Sequence, residues 1–309
     1  MTVSPALVRR LALTSLIANV GIVLTGGAVR LTESGLGCPT WPRCTDESWT
    51  ATSEMGIHGL IEYGNRTLTG VLGVIALAGL VTALLLEPRR RSLVWLAGGV
   101  LAGIGAQGLL GGLVVWTDLN PSAVGGHYLL SIVVISVAYA FWRRVDEPDG
   151  PITVTVPPPL RWLAWLTAVV AVALLAVGTL VTGSGPHAGD AAVPRNGLDP
   201  EQISQAHADL AFLLLGLAVA GWFGFRAVAA PRPASRAAAW LVAAILGQGA
   251  VGLVQYFTGL PELLVWFHLL GSCLVWLAAL HQLYATRART TTPAAVPAQS
   301  TDLSLTPTG

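Results

Sequence analysis

The chain has 309 residues, 53% hydrophobic and only 11% charged, with a mean hydropathy of +0.66 and a formal net charge of +1. A soluble domain carries roughly 25% charged residues, so a soluble globular fold is excluded. The near-zero net charge points by itself to no class of partner, and no nucleic-acid partner is expected.

Apolar runs of about 20 residues suffice to cross a ~30 Å hydrocarbon core. They predict spans near 11–29, 64–86, 93–116, 122–142, 160–182, 205–225, 238–257 and 263–284. The fold class expected is an all-α membrane protein of eight transmembrane helices, with both termini on one side of the lipid bilayer. The first run has a basic start, but no small-residue cleavage site follows it, so it reads as a retained helix. "GLGCPTWPRCTDE" (Gly35–Glu47) comes next and carries Cys38 and Cys44. The entrance to the second span is "GIHGLIEYGNRTLTG" (Gly56–Gly70), where His58, Glu62, Asn65 and Arg66 crowd together. "EPDGPITVTVPPP" (Glu147–Pro159) separates the fourth span from the fifth, and Cys273 lies alone in the last. From Thr290 to Gly309 the chain is rich in Thr, Pro and Ala and is expected to be disordered.

Arginine sets the orientation. The chain has no Lys, and most Arg residues fall at the N-terminus, in the even-to-odd connections and near the C-terminus. Only Arg30, Arg43 and Arg195 fall in the opposite loops. That bias places both termini in the cytoplasm of a multi-pass plasma-membrane protein. Cys38 and Cys44 then face an oxidising compartment, which favours a disulfide. The alternative is a metal pair, for which no third or fourth ligand sits nearby in the sequence.

A repeat organises the chain. Gln107–Ser131 and Gln248–Ser272 align without a gap at a constant offset, matching Gln107, Gly108, Gly111, Thr117, Leu119, Val124, His127, Leu129 and Ser131 to their counterparts. "LTESG" (Leu31–Gly35) likewise matches "VTGSG" (Val181–Gly185), and Asn65 falls opposite His207. Two four-helix halves in tandem are expected, at 1–146 and 160–289, joined by a linker over 147–159. Their shared topology makes the repeat parallel, with a pseudo-two-fold along the membrane normal.

Four of the six His residues, His58, His127, His207 and His268, fall at similar depth on the outer side. A His inside a membrane is costly and marks function more often than packing. His207 and His268, on two helices of one half, are placed to clamp a planar ligand, as axial imidazoles clamp haem iron. Gly216, Gly252, Gly271 and Ser272 would let a flat macrocycle approach the backbone. His281 reads as an interfacial residue, and His187 as either the cover of a haem edge or plain loop chemistry.

Together these residues resemble the haem A synthase family, in its bacterial, actinobacterial-like branch. The carriers are "GGAVRLTESGLGCPTWPRC" (Gly26–Cys44), "IEYGNR" (Ile61–Arg66), "GGHYLLS" (Gly125–Ser131), "VTGSGPHAGD" (Val181–Asp190), "QAHADLAFLL" (Gln205–Leu214) and "FHLLGS" (Phe267–Ser272). The resemblance implies an oxidoreductase that converts a ring methyl of haem O to the formyl group of haem A. It also implies a haem b on His207 and His268, and a substrate haem O in the N-terminal half. Glu62 matches the family's acidic residue, His127 one N-terminal ligand, and Cys38 and Cys44 the external pair. His58, Asn65, Arg66 and His127 would line the substrate-haem pocket, with Arg66 paired to Glu62 or a haem propionate. Haem O synthase is the implied source of substrate, the electron donor is not identified, and a homo-oligomer is compatible.

Many relatives carry His where Asn65 stands, and an Asn amide is a poor ligand for haem iron. Either the segment before Glu62 folds back to bring His58 in, or the haem sits further out, or His127 alone ligates it. The competing function is a b-type cytochrome carrying electrons from quinol to an external acceptor, which would call for His pairs in both halves.

Overall fold

The computed structural model describes residues 3–190 and 192–291. Those residues form eight long helices, each apolar enough to cross a membrane: α1 (Pro5–Leu31), α2 (Gly56–Leu85), α3 (Arg91–Trp116), α4 (Pro121–Asp146), α5 (Pro158–Ser184), α6 (Pro200–Ala227), α7 (Arg232–Phe257) and α8 (Glu262–Tyr284). In lipid every backbone polar group must be satisfied within the chain, which leaves helices as the open solution. Proline opens five of them, α1, α4, α5, α6 and α7, where its missing N–H costs nothing. The Asp199 carboxylate caps α6, accepting from the Glu201 and Gln202 amides at 2.9 and 3.1 Å.

The helices extend past the expected spans, most of all α2, which begins eight residues before the expected start at 64. Two three-residue strands depart from a purely helical reading. β1 (Ile152–Val154) pairs antiparallel with β2 (Arg287–Arg289), so the linker between the halves is stitched to the chain leaving α8. Glu147 meets Arg287 and Arg289 at 3.4 and 3.2 Å on the same face. Arg90 donates to the carbonyls of Arg144, Val145 and Glu147 and, at 2.9 Å, to the Asp149 carboxylate. Against a desolvation that raises it, the hydrogen bonds from Arg144 and Arg90 hold the Asp149 carboxyl below its ordinary value. The tail expected to be disordered lies outside the described residues from 292 onward.

Each half is a ring of four helices. In the first, α1 and α3 each pack on α2 and α4; in the second, α5 and α7 each pack on α6 and α8. Across the halves α1 packs on α8, α4 on α5, and α4 on α8. A half-turn that exchanges the halves maps α1–α8 onto α5–α4 and α4–α8 onto itself, which is the pseudo-two-fold. The loops obey it too. Leu119 and Leu260 close α3 and α7 with the same left-handed turn (φ 56° and 61°), and their amides donate to Val114 and Gln255 carbonyls at 2.9 and 2.7 Å.

Helices in lipid gain little from burying apolar surface on one another and rely on small residues and hydrogen bonds. The seam follows that rule. Tyr128 bonds Ser272 at 2.8 Å, the Trp276 indole donates to Ser136 at 2.8 Å, and Tyr139 bonds His281 at 3.0 Å, all between α4 and α8. Ala138, Ala171, Cys273 and Ala279 are buried in the cluster around this seam. Large side chains turn outward instead, among them Trp95, Trp162, Trp240 and Phe257, as expected of lipid-facing and interfacial positions.

Cys38 and Cys44 form a disulfide in the loop between α1 and α2, with Cα atoms 4.4 Å apart, and Cys273 is free and buried. Thiol labelling of denatured, unreduced protein is therefore expected to tag Cys273 alone, and reduction to expose three sites. Labelling at three sites without reductant would show the pair to be open.

Candidate functional site

In the second half, α6 and α8 stand at opposite corners of the ring, with α5 and α7 between them. His207 lies near the start of α6 and His268 near the start of α8, on the face that bears the disulfide loop. Their ring centroids are 6.3 Å apart, with planes inclined at 57°. Each ring lies against a glycine of a flanking helix. A Cβ at Gly178 of α5 or at Gly252 of α7 would come within 3.1 Å of the nearest ring carbon. Both Nδ1 atoms are buried; the Leu174 backbone of α5 lies within reach of the His207 ring, while Nδ1 of His268 has no hydrogen-bond partner.

That arrangement suits one kind of ligand. A metal–imidazole bond of ~2.0 Å plus ~1.1 Å from ring nitrogen to ring centre puts two axial imidazoles of one metal about 6.2 Å apart. Among the described residues no group of three or more His, Cys, Asp or Glu side chains converges to hold a metal. A metal held by this pair would need a macrocycle's in-plane ligands, and haem iron meets that condition.

The first half repeats part of this geometry. His127 lies near the start of α4, with Gly111 of α3 beside its ring, where a Cβ would fall 3.4 Å from Cε1. Its Nδ1 is likewise buried and unpartnered. In both halves a glutamine on the preceding helix reaches the backbone of the His. Gln107 Nε2 donates to the His127 carbonyl at 3.2 Å, and Gln248 Nε2 to the His268 carbonyl at 2.7 Å. Asn65, the counterpart of His207, instead accepts a hydrogen bond from Thr25 Oγ1 of α1 at 2.7 Å.

His58 does not replace it. Because α2 is continuous from Gly56, the chain does not fold back before Glu62, which removes that option. Seven residues at 1.5 Å per residue keep His58 about 10 Å further out than Asn65. Its Nδ1 is bonded to Ser34 Oγ at 3.0 Å. Among the described residues no hydrogen bond joins His127 to His58, Glu62 or Asn65.

Glu62 and Arg66 do come together, with a purpose the sequence does not announce. Glu62 is only 5% exposed. Its Oε2 accepts from the Cys38 amide at 2.7 Å, and its Oε1 from Arg66 Nε at 3.1 Å and Nη2 at 2.5 Å. The same guanidinium donates to the carbonyls of Cys38, Thr40 and Arg43 at 2.7, 2.7 and 3.2 Å. The pair therefore seats the disulfide loop on α2. Gly37 allows the close approach, since a Cβ there would collide with the His58 carbonyl.

Other expected residues are placed differently. The space at Gly271 is taken by the Gln248 carboxamide, against which a Cβ would collide, so it is not open to a macrocycle. Ser272 is engaged by Tyr128, while Gly216 faces open space and Gly252 backs His268. His187 bonds the Leu260 carbonyl through Nε2 at 2.9 Å, tying together the two outer loops of the second half. Thr25 and Gly178 belong to no motif, and nothing in the sequence singles them out; Ser34 stands in "LTESG", where the sequence gives it no role. The two glutamines were visible as repeat partners, without a role.

A family model described as cytochrome oxidase assembly protein, COX15-CtaA, matches residues 9–280. A protein of Bradyrhizobium sp. (strain ORS 278) named heme A synthase is 27% identical, covering 80% of this chain and 82% of its own. A heme A synthase of Symbiobacterium thermophilum is 26% identical over 78% of this chain and 84% of its own. One of Rhodopseudomonas palustris (strain BisA53) is 28% identical over 88% of each.

Replacing Arg66 by Gln would strand the Glu62 carboxylate and release three loop carbonyls. The expected cost is about 2–3 kcal/mol, below the ~3–5 of a fully buried pair, because a fifth of the Arg66 side chain is exposed. Faster tryptic cleavage after Arg43 in the folded, detergent-solubilised variant would report the loosened loop. Cleavage at the wild-type rate would show that the pair does not hold it.

Proposed function

The chain belongs to the COX15-CtaA family of cytochrome oxidase assembly proteins, and from that premise we propose that it is a haem A synthase of the plasma membrane with both termini cytoplasmic. It is a multi-pass membrane oxidoreductase acting on haem O, and the reaction turns a ring methyl into a formyl group. The observation that carries the reading is the facing pair His207 and His268, each ring backed by a glycine.

In this reading His207 and His268 would hold a haem b. When bound, that group supplies one-electron redox chemistry. The first half takes the substrate haem O, supplied by a haem O synthase. His127 would be the one imidazole offered to it, since Asn65, held by Thr25, stands where the second half has His207. That asymmetry favours an enzyme over a b-type electron carrier, which would close both halves with His pairs. His58, Asn65 and Arg66 line the outer part of the substrate pocket. Glu62 is its acid–base group, holding or releasing a proton at its carboxylate, while the loop seated on it limits the entry of water.

Three measurements in bacterial cells lacking their own synthase test the reading. Expression of the chain is expected to restore extractable haem A; haem O alone would overturn the assignment. His207→Ala and His268→Ala should each abolish the low-spin haem b band of the purified protein, and an unchanged band would remove these ligands. Glu62→Gln should slow conversion by about 10²–10⁴, so that haem O or a hydroxylated intermediate accumulates while the haem b band persists. Normal haem A yield from that variant would take Glu62 out of the chemistry.

A further inference from the structure

Gln107 and Gln248 stand in neither ring of proposed ligands, yet they occupy equivalent places in the two halves. The antiparallel hairpins α3–α4 and α7–α8 bring each level with a His on the next helix. Each donates from Nε2 to that residue's backbone carbonyl. A helix carbonyl has two acceptor sites, and the helical bond uses one. At His268 the carboxamide takes the other without breaking the ladder; at His127 it shares that side with Ser131 Oγ, which donates to the same carbonyl at 3.1 Å. The carbonyl belongs to the same residue as the imidazole, so the bond fixes the height and rotation of the His Cα against the neighbouring helix.

The two braces are completed differently. Gln107 also donates to Ser131 Oγ, at 2.6 Å. Gln248 is packed so closely on Gly271 that no side chain fits there; the counterpart of Gly271 is Leu130. Ser272, the counterpart of Ser131, is thereby left to the Tyr128 hydroxyl of the other half. A bond kept through two different packings points to the carbonyl of the His as the common purpose.

We propose that Gln107 and Gln248 are positioning residues that set the axial approach of His127 and His268 by bracing their backbone carbonyls, with Gly271 reserving the space for the second brace. The inference rests on the ligand roles given to the two His residues under the proposed function. A merely structural glutamine would affect the stability of the whole bundle. A positioning glutamine acts on the haem of its own half.

The test uses the full-length protein purified with its haem. Its readouts are the low-spin electron paramagnetic resonance signal, the midpoint potential and the rate of haem loss to apomyoglobin. Gln248→Ala is expected to shift the signal and the potential and to weaken haem retention by about 10-fold or more, as loss of an outer-shell partner does. Gly271→Ala, which leaves the glutamine in place but pushes it off the carbonyl, should do the same. The double variant should match Gln248→Ala alone, because one interaction cannot be lost twice. Gln107→Ala should leave the His207–His268 signal as in the wild type and slow product formation. A wild-type signal and potential in Gln248→Ala, with the band abolished in His268→Ala, would overturn the brace and leave the haem site standing. Additive effects of Gln248→Ala and Gly271→Ala would also overturn it. Persistence of the band in His268→Ala would overturn the ligand assignment, and the brace with it.

Discussion

The structure depends on one constraint: a polar group inside a bilayer must find a partner within the protein. Many polar side chains in these helices find such a partner. Thr25 meets Asn65, Tyr139 meets His281, the Trp276 indole meets Ser136, and the threonines bond their own helix carbonyls. The imidazoles of His127, His207 and His268 are set apart by packing, each with a flanking-helix glycine against its Cε1–Nδ1 edge. The opposite edge of each ring is the one that could take a ligand, and two of these rings stand at the spacing one would need.

The same constraint explains how duplicated halves hold together. Apolar burial drives little association in lipid, so the seam is made of hydrogen bonds between α4 and α8, the helices that carry His127 and His268. Outside the bilayer the fastening changes character. At the amino-terminal face it is a strand pair with ion pairs around Glu147 and Asp149; at the opposite face Arg30 donates to the Thr182 carbonyl at 2.7 Å and the Gly35 amide to the Gly189 carbonyl at 3.0 Å. Water competes for exposed groups at both faces, and there charged groups and backbone pairing serve where a single neutral side-chain hydrogen bond would be weak.

Much of this was legible in the sequence, for physical reasons that also mark where legibility ends. Eight apolar runs give eight helices because hydropathy reports the hydrocarbon thickness. It is silent about polar turns beyond that thickness, which is why α2 starts at Gly56 rather than near 64. The β1 segment is a run of β-branched residues, but its partner Arg287–Arg289 has no apolar pattern to betray it. His207 and His268 stand out by depth and repeat; Gly178, which makes room for His207, lies in no motif and is found only in three dimensions. The Glu62–Arg66 pair follows from a four-residue spacing. Its clasp on Cys38, Thr40 and Arg43 does not, because the loop's path over α2 is set by Gly37 and the disulfide together.

The departures from symmetry carry the functional argument. A duplicated bundle begins with two equal sites, and each difference between them is a choice about chemistry. At the α2 position matching His207 stands Asn65, already satisfied by Thr25, so the first half has one imidazole where the second has two. Leu130 stands where the second half has Gly271, and Ser131 completes a brace that in the second half needs only the carbonyl. Under the proposed function the pair His207 and His268 would suit an iron that exchanges electrons. The first half, with one imidazole and a loop anchored on a carboxylate, would take the substrate. The two halves would then divide the work of one oxidation, electron exchange in the second and carbon chemistry in the first, across a seam in which Tyr128, the neighbour of His127, is bonded to Ser272, one turn beyond His268.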